Sequence, residues 1–223
     1  MKVAVLRFPG TNCEFDTQYA FEKLGHSTEL VWHEDETLPA EIDLVVVPGG
    51  FSYGDYLRSG SIARFSPVMK AVTAYANEGG RVLGICNGFQ ILTEAGLLPG
   101  ALKRNNNLHF ISKHQNLCVV NNSNAFLNKC EKGEVLNIPI AHADGNYYID
   151  EEGFRELEAN EQILLRYSDA NGDPVVVNGS VTSIAGVCNA EKNVFGLMPH
   201  PERALEAILG SEDGIRMLKG FEA

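Results

Sequence analysis

The sequence predicts an α/β protein of the flavodoxin-like type, with three layers (αβα) and helices on both faces of a mainly parallel sheet. Strand-like and helix-like segments alternate through the first half of the chain. Residues 43–47 (Asp-Leu-Val-Val-Val) are almost entirely apolar, as a central parallel strand buried on both faces requires. Short strand-like runs between turns rich in Asn, Gly and Asp predict additional strands in the C-terminal half.

The first helix is expected to begin at Thr11 and to end before Gly25. It follows a strand at 1–6 and a turn at Phe8-Pro9-Gly10. Thr11 and Glu14 have the spacing of a capping box, and a glycine suits the end of a helix. The remaining segments of this half are strands at 28–32, 43–47 and 81–85, a helix at 61–76 disturbed by Pro67, and a helix at 89–94.

The second half reads as short strands with two helices. The expected strands are 117–120, 138–141, 163–167, 175–177, 183–187 and 194–198, and the expected helices are 154–159 and 212–221. No linker, low-complexity segment or internal repeat interrupts the chain. We therefore expect a single domain over residues 1–223.

Composition excludes several classes of function. The 223 residues carry a net charge of −11, which argues against nucleic acid or an anionic membrane as a main partner. No apolar run approaches the roughly 20 residues needed to span a bilayer. The chain enters a strand pattern at its first residues without the anatomy of a signal peptide, so we expect a cytoplasmic protein.

The cysteine content fits a reducing compartment. The five cysteines are an odd number without close pairing, which argues against a disulfide framework. They are Cys13, Cys86, Cys118, Cys130 and Cys188. His109 and His114 with Cys118 and Cys130 match no compact zinc pattern, so we expect no metal site.

The segment Gly84-Ile85-Cys86-Asn87-Gly88 has the layout of a nucleophile elbow. It follows the strand at 81–85 and opens the helix at 89–94. Glycines relieve crowding in such a turn, and the helix N-terminus favours a thiolate. The pentapeptide alone fits equally well a buried cysteine between two packing glycines.

His200 and Glu202 supply a general base and a group that orients it. Pro199 and Pro201 flank the histidine and favour extended backbone, in which side chains two residues apart lie on one side. The carboxylate can then fix the imidazole tautomer. This pair makes Cys86 a predicted nucleophile.

An oxyanion hole needs two N–H donors. The elbow offers the N–H of Asn87, and the glycine-rich turn at Gly49-Gly50-Phe51 offers a second donor from Gly50 or Phe51. The turn at Gly10-Thr11-Asn12 could cradle a phosphate, but it lacks a Walker lysine or a G-x-G-x-x-G pattern.

These motifs resemble the class I (triad-type) glutamine amidotransferases. The resemblance rests on Cys86 with Phe89-Gln90 behind it, on His200-Pro201-Glu202, and on a run at 49–58. It implies the class I amidotransferase fold as one type 1 domain, with Cys86, His200 and Glu202 as the triad. It further implies a glutamine site that includes Gln90, His142, Ala143, Asp144 and Gly145.

The resemblance is strongest to small glutaminase subunits that serve purine biosynthesis. It implies a separate synthetase subunit and a small bridging subunit as partners, with ATP and Mg²⁺ on the synthetase and no cofactor on this chain. We expect Tyr53, Asp55 and Arg58, in a glycine-rich loop, to serve docking or ammonia transfer.

Two alternatives remain open at this point. One is another cysteine-triad amide hydrolase of the γ-glutamyl hydrolase type. A dienelactone-type enzyme fits less well, because its acid precedes its histidine. The other alternative is a non-enzymatic thiol sensor of flavodoxin-like fold, which would need no His-Pro-Glu segment.

Overall fold

The structure is a computed structural model that describes residues 1–222. The strands are β1 (Lys2–Arg7), β2 (Ser27–Trp32), β3 (Leu44–Val47), β4 (Arg81–Ile85), β5 (Ala101–Lys103), β6 (Ile111–Val119), β7 (Val135–His142), β8 (Asn146–Tyr148), β9 (Ile163–Ser168), β10 (Ile184–Cys188) and β11 (Val194–Leu197). The α-helices are α1 (Glu14–Lys23), α2 (Pro67–Asn77), α3 (Asn87–Glu94), α4 (Glu151–Ala159) and α5 (Gly214–Leu218).

A nine-stranded sheet organises the molecule, in the order β2-β1-β3-β4-β11-β10-β9-β6-β7. The five strands from β2 to β11 are parallel to one another. The next four strands pair antiparallel in turn, so only β10 and β6 run against the main direction. A separate two-stranded antiparallel sheet joins β5 to β8. The predicted α/β fold with a mainly parallel sheet and additional C-terminal strands is confirmed.

The core forms where the sequence is most apolar. All four residues of β3 are buried, as expected of a central parallel strand. Helices α1, α2 and α3 pack against the parallel strands. Because β3, β4 and β11 are adjacent and parallel, the loops that follow them emerge at one edge of the sheet.

The predicted capping box at Thr11 is wrong. Helix α1 begins at Glu14, and its N-cap residue Cys13 makes no side-chain capping hydrogen bond. Thr11 instead forms an isolated bridge with Gly50. Its hydroxyl accepts a hydrogen bond from the N–H of Phe8. Thr11 therefore pairs with a residue distant in sequence instead of capping the helix, as the local pattern predicted.

Other boundaries differ from the prediction for simple reasons. Pro67 begins α2 rather than disturbing it, because a proline at the first helical position loses no helical hydrogen bond. Residues 175–177 form no strand, since the chain touches β9 only through one bridge at Pro174. The predicted helix at 212–221 is α5 followed by a 3₁₀ turn at Lys219–Phe221. Within residues 1–222, no helix has both the length and the apolar character to cross a bilayer.

Candidate active site

Cys86 occupies a strained turn between β4 and α3. Its φ is 51° and its ψ is −105°, a conformation that non-glycine residues adopt rarely and that clusters at functional sites. A side chain at Gly88 would collide with the carbonyl of Val47, so the elbow requires glycine there. The N–H of Cys86 donates to the carbonyl of Leu197 over 2.8 Å, which ties the elbow to β11. The thiol is buried, with its Sγ 3.6 Å from the carbonyl oxygen of Ala141.

His200 and Glu202 form a buried pair at the end of β11. The Nδ1 of His200 lies 2.6 Å from the Oε1 of Glu202, and the two residues are only 2% and 3% exposed. The backbone N–H of His200 donates to the carbonyl of Pro139 on β7, which fixes the segment against the sheet. Among residues 1–222, no group hydrogen-bonds to the Nε2 of His200. That nitrogen is therefore free to exchange a proton.

The backbone of Gly49 marks the point where the thiol and the imidazole meet. A Cβ added at Gly49 would lie 2.8 Å from the Cε1 of His200, 3.1 Å from the Sγ of Cys13 and 3.5 Å from the Cβ of Cys86. Only a residue without a side chain fits there. The structure therefore brings Cys86 and His200, which are far apart in sequence, to one side of the same turn.

The electrostatics of the site favour a charged imidazole. Burial opposes the imidazolium, but Glu202 and the nearby thiols of Cys86 and Cys13 raise the pKa of His200 well above its ordinary value. Burial raises the pKa of the Cys13 thiol, although His200 opposes that shift. A cationic imidazole beside Cys86 is the arrangement that activates cysteine nucleophiles.

Cys13 was not predicted as a site residue. Its Sγ accepts a hydrogen bond from the Nη2 of Arg203 over 3.2 Å. Ligand atoms of Cys13, His200 and Glu202 lie within 4.8 Å of one another, the one such group of potential metal donors in the described chain. The short contact between His200 and Glu202 already occupies two of these donors.

The predicted oxyanion donors are not equivalent. The N–H of Phe51 donates to the carbonyl of Gly10 over 3.0 Å, so it is already occupied in this conformation. The N–H of Gly50 has no acceptor within residues 1–222. Asn87 is the first residue of α3, where backbone N–H groups have no helical acceptor. Gly50 and Asn87 are therefore the better-placed pair.

The side chain of Asn87 links the elbow to the neighbouring loop. Its Oδ1 accepts from the N–H of Ser52 over 3.1 Å, and its Nδ2 donates to the Oε1 of Gln90 over 2.9 Å. Gln90 in turn donates from its Nε2 to the carbonyl of Asp144 over 2.7 Å. One chain of hydrogen bonds thus spans the predicted oxyanion and glutamine-binding segments.

A small cavity of about 30 Å³ contains Cys86 and most predicted glutamine contacts. It is lined by Gly50, Phe51, Asp55, Ser59, Cys86, Gln90, Ala141, His142, Ala143 and Asp144. Gly145, also predicted, does not line it. The enclosed volume is only slightly more than one water molecule needs. A larger cleft of about 520 Å³ elsewhere contains neither thiol nor imidazole, so size does not identify the site.

His142 is buried in a neutral form, and a residue that sequence reasoning missed holds it in place. Burial, aided by the charge of His200, lowers the pKa of His142 to about 4. The Oδ1 of Asn105 is 3.1 Å from the Nδ1 of His142 and accepts from the N–H of Gly145. The Nδ2 of Asn105 donates to the carbonyl of His142 over 2.8 Å. Asn105 therefore shapes the loop at 142–145.

The three predicted docking residues do not form one surface. The hydroxyl of Tyr53 is 2.8 Å from the Nδ1 of His33 and 2.9 Å from the Oγ of Ser66, which is a structural role. Arg58 is exposed and forms a two-pronged ion pair with Glu94. Asp55 lines the cavity that contains the nucleophile, as described above.

Two exposed apolar residues lie within this loop, between Asp55 and Arg58. Tyr56 is 75% exposed and Leu57 is 90% exposed, and the φ of Leu57 is 68°. A bulky apolar residue held in this conformation at the surface is costly without a partner. Both residues lie in the glycine-rich loop that was predicted to expose side chains for docking.

Comparison with known proteins identifies the family of the chain. Residues 1–213 match the CobB/CobQ-like glutamine amidotransferase domain family. The chain is 68% identical to phosphoribosylformylglycinamidine synthase subunit PurQ of Sulfurimonas denitrificans, over 99% of both chains. It is 60% identical to the PurQ subunit of Campylobacter jejuni, over 99% of this chain and 96% of the relative.

A solved structure adds an assembly to the comparison. A chain in the structure of PurLQS from Thermotoga maritima matches with a TM-score of 0.88 and 42% identity, over 99% of this chain and 96% of that chain. A glutamine amidotransferase from the same organism, at 16% identity and a TM-score of 0.61, shares the fold.

Proposed function

Since the chain belongs to the CobB/CobQ-like glutamine amidotransferase family, we propose that Cys86, His200 and Glu202 are the triad with which it hydrolyses L-glutamine. The near-complete match to PurQ subunits makes it the glutaminase subunit of phosphoribosylformylglycinamidine synthase. That enzyme converts formylglycinamide ribonucleotide to formylglycinamidine ribonucleotide in purine biosynthesis. The observation that carries the proposed triad is the buried His200–Glu202 pair beside the elbow of Cys86.

The reaction begins when the Cys86 thiolate attacks the side-chain amide carbon of glutamine. The C–N bond breaks as His200 gives a proton to the leaving nitrogen, and ammonia departs from a γ-glutamyl thioester. Water then attacks the thioester with His200 as base, which yields glutamate and restores the thiolate and imidazolium. Glu202 holds the imidazole orientation and stabilises its positive charge throughout.

The oxyanion of each tetrahedral intermediate is bound by backbone N–H groups. We assign Gly50 and Asn87 as donors, because the N–H of Phe51 is engaged with Gly10. Phe51 becomes a donor only if its hydrogen bond to the carbonyl of Gly10 breaks.

The ammonia serves a synthetase subunit, with a small subunit completing the assembly, as in the Thermotoga complex. We place ATP and Mg²⁺ on that synthetase and no cofactor on this chain. We also propose a cytoplasmic location, because all five cysteines are free and a reducing compartment keeps such thiols active. Residues 1–223 are proposed to form one amidotransferase domain, most of which the family match covers.

Glutamine hydrolysis by this chain, with and without the synthetase and small subunits, tests the proposal. Cys86→Ala is expected to abolish glutamine-dependent product formation while added ammonia still supports the synthetase. Cys118→Ser, which alters a half-buried thiol outside the cavity, is the matched control and should retain glutamine-dependent activity. Glutamine-dependent synthesis that survives in Cys86→Ala would overturn the assignment.

The two alternative functions give different results in the same assay. A γ-glutamyl hydrolase would cleave γ-glutamyl peptides and gain nothing from the partner subunits. A thiol sensor would keep its oxidation chemistry after replacement of His200, whereas the glutaminase loses turnover.

A further inference from the structure

We propose that Asp55, together with Asp144, binds the α-ammonium group of the substrate and so selects for a free α-amino acid. This inference rests on the proposed glutaminase function. It reassigns Asp55 from partner docking to substrate recognition.

The first support is the position of the two carboxylates. Asp55 comes from the loop after β3 and Asp144 from the turn between β7 and β8, and both line the cavity that contains Cys86. The Oδ1 atoms of both are shielded from solvent and have no hydrogen-bond partner within residues 1–222. Burying carboxylate oxygens without a hydrogen-bond partner costs free energy, so these two atoms favour a cationic ligand.

The second support is that, within residues 1–222, no cation approaches either Oδ1 more closely than 3.9 Å. That distance belongs to Arg104 and Asp144, and Arg104 is largely exposed. Arg58 is engaged by Glu94 and does not line the cavity. The Oγ of Ser59 donates to the Oδ2 of Asp144 over 2.8 Å, which orients that carboxylate but leaves its Oδ1 for a ligand.

The third support is the match to the chemistry of glutamine. Its reacting amide must lie at Cys86, and its other end carries an ammonium with three N–H donors. A cavity with a nucleophile and two carboxylates whose Oδ1 atoms have no hydrogen-bond partner within residues 1–222 is complementary to that ammonium group. Asp55 has a φ of 54°, a strained conformation that Asp tolerates better than most residues.

The protonation of Asp55 agrees with this geometry. Burial, and then the nearby charge of Asp144, raise the pKa of Asp55 to about 6, while Ser59 opposes the shift. A bound ammonium favours the carboxylate and lowers that pKa. Affinity for glutamine should therefore fall as the pH decreases through about 6, a range in which His142 remains neutral.

The test measures binding to the assembled complex carrying Cys86→Ala, so that no turnover occurs. The probes are L-glutamine and 4-carbamoylbutanoate, which is glutamine without its α-amino group. Asp55→Asn in that background should raise the Kd for glutamine at least tenfold and change the Kd for the deaminated probe less than twofold. The ratio of the two Kd values, which measures the preference for glutamine over the deaminated probe, should therefore fall at least fivefold.

Two comparisons make the result decisive. Asp173→Asn, which removes an exposed carboxylate outside the cavity, should leave both Kd values unchanged. Co-elution of each variant with the partner subunits establishes that the complex is intact. Equal weakening of both probes by Asp55→Asn, or no weakening of either, overturns the inference.

Failure of this inference is distinguishable from failure of the function. If the wild-type complex hydrolyses glutamine through Cys86 but Asp55→Asn retains the preference, only the role of Asp55 is wrong. If the wild-type complex neither binds nor hydrolyses glutamine, the proposed function itself is wrong.

Discussion

The Nδ1 of His200 lies 2.6 Å from the Oε1 of Glu202 in a setting closed to solvent. This contact fixes the tautomer of the imidazole and leaves its Nε2 without a protein partner in the described chain. It therefore sets both the direction in which His200 moves a proton and the pH range in which His200 is charged.

Glu202→Gln is predicted to lower kcat by about 10²- to 10⁴-fold, the range seen when an orienting carboxylate is replaced by an amide. The alkaline decline of the remaining activity should also begin at a lower pH than in the wild type. Glu202 raises the pKa of His200, and protonated His200 is lost as the pH rises through that value. The variant should therefore lose activity earlier on the alkaline side of a pH profile of kcat. An unchanged alkaline limb would contradict this role.

Gly49→Ala is predicted to reduce kcat at least tenfold, because the new Cβ would press on the Cε1 of His200 and the Sγ of Cys13. Steady-state glutaminase assays of the complex measure the effect. Gly96→Ala is the matched control, since a Cβ there meets no atom within 4 Å. Its positive φ should cost about 1 kcal/mol of stability without changing kcat. A Gly49→Ala enzyme with full activity would rule out the packing described.

Leu57→Ser and Tyr53→Phe are predicted to affect different properties, partner binding in the first and stability in the second. Leu57 is 90% exposed, so its replacement should leave the unfolding midpoint unchanged and weaken binding to the synthetase subunit at least tenfold. Tyr53→Phe should lower the free energy of unfolding by about 1 kcal/mol, because His33 and Ser66 lose their hydroxyl partner. Thermal unfolding and direct binding measurements separate the two. Unaltered synthetase affinity in Leu57→Ser would exclude this docking role.

His142 is predicted to make the protein less stable in acid. Its folded-state pKa of about 4 lies below the ordinary value of 6.5, so the unfolded chain binds the extra proton first. Stability is therefore complete above pH 6.5 and is lost as the pH falls toward 4, by about 2 kcal/mol at pH 5. Urea unfolding at pH 7 and pH 5 should show a smaller loss for His142→Gln than for the wild type. Equal losses would show that His142 is not the group responsible.

Local sequence patterns predicted the elements that rely on local chemistry. The glycines around Cys86 allow the predicted turn between strand and helix. The predicted extended backbone after His200 is wrong, because Pro201–Arg203 forms a 3₁₀ turn, but His200 and Glu202 still pair. The capping box at Thr11 failed because pairing with Gly50, distant in sequence, took precedence. Local sequence patterns do not predict contacts between residues that are distant in sequence.

Contacts between distant segments also explain the missed residues. Cys13 reaches His200 only because the loop before α1 lies against the turn at Gly49. Asn105 orders the loop at 142–145 across the fold. Asp55 was predicted to serve docking or ammonia transfer, and no local pattern indicated that the fold would place it with Asp144 in the cavity of the nucleophile.

The most direct test of the central claim is mass spectrometry of this chain after the assembled complex is mixed with glutamine and rapidly quenched in acid. We predict a single γ-glutamyl group attached to the peptide that contains Cys86, absent from Cys86→Ala and unchanged in Cys118→Ser. A glutamyl group on Cys13, or continued turnover in a complex that carries Cys86→Ala, would contradict the account.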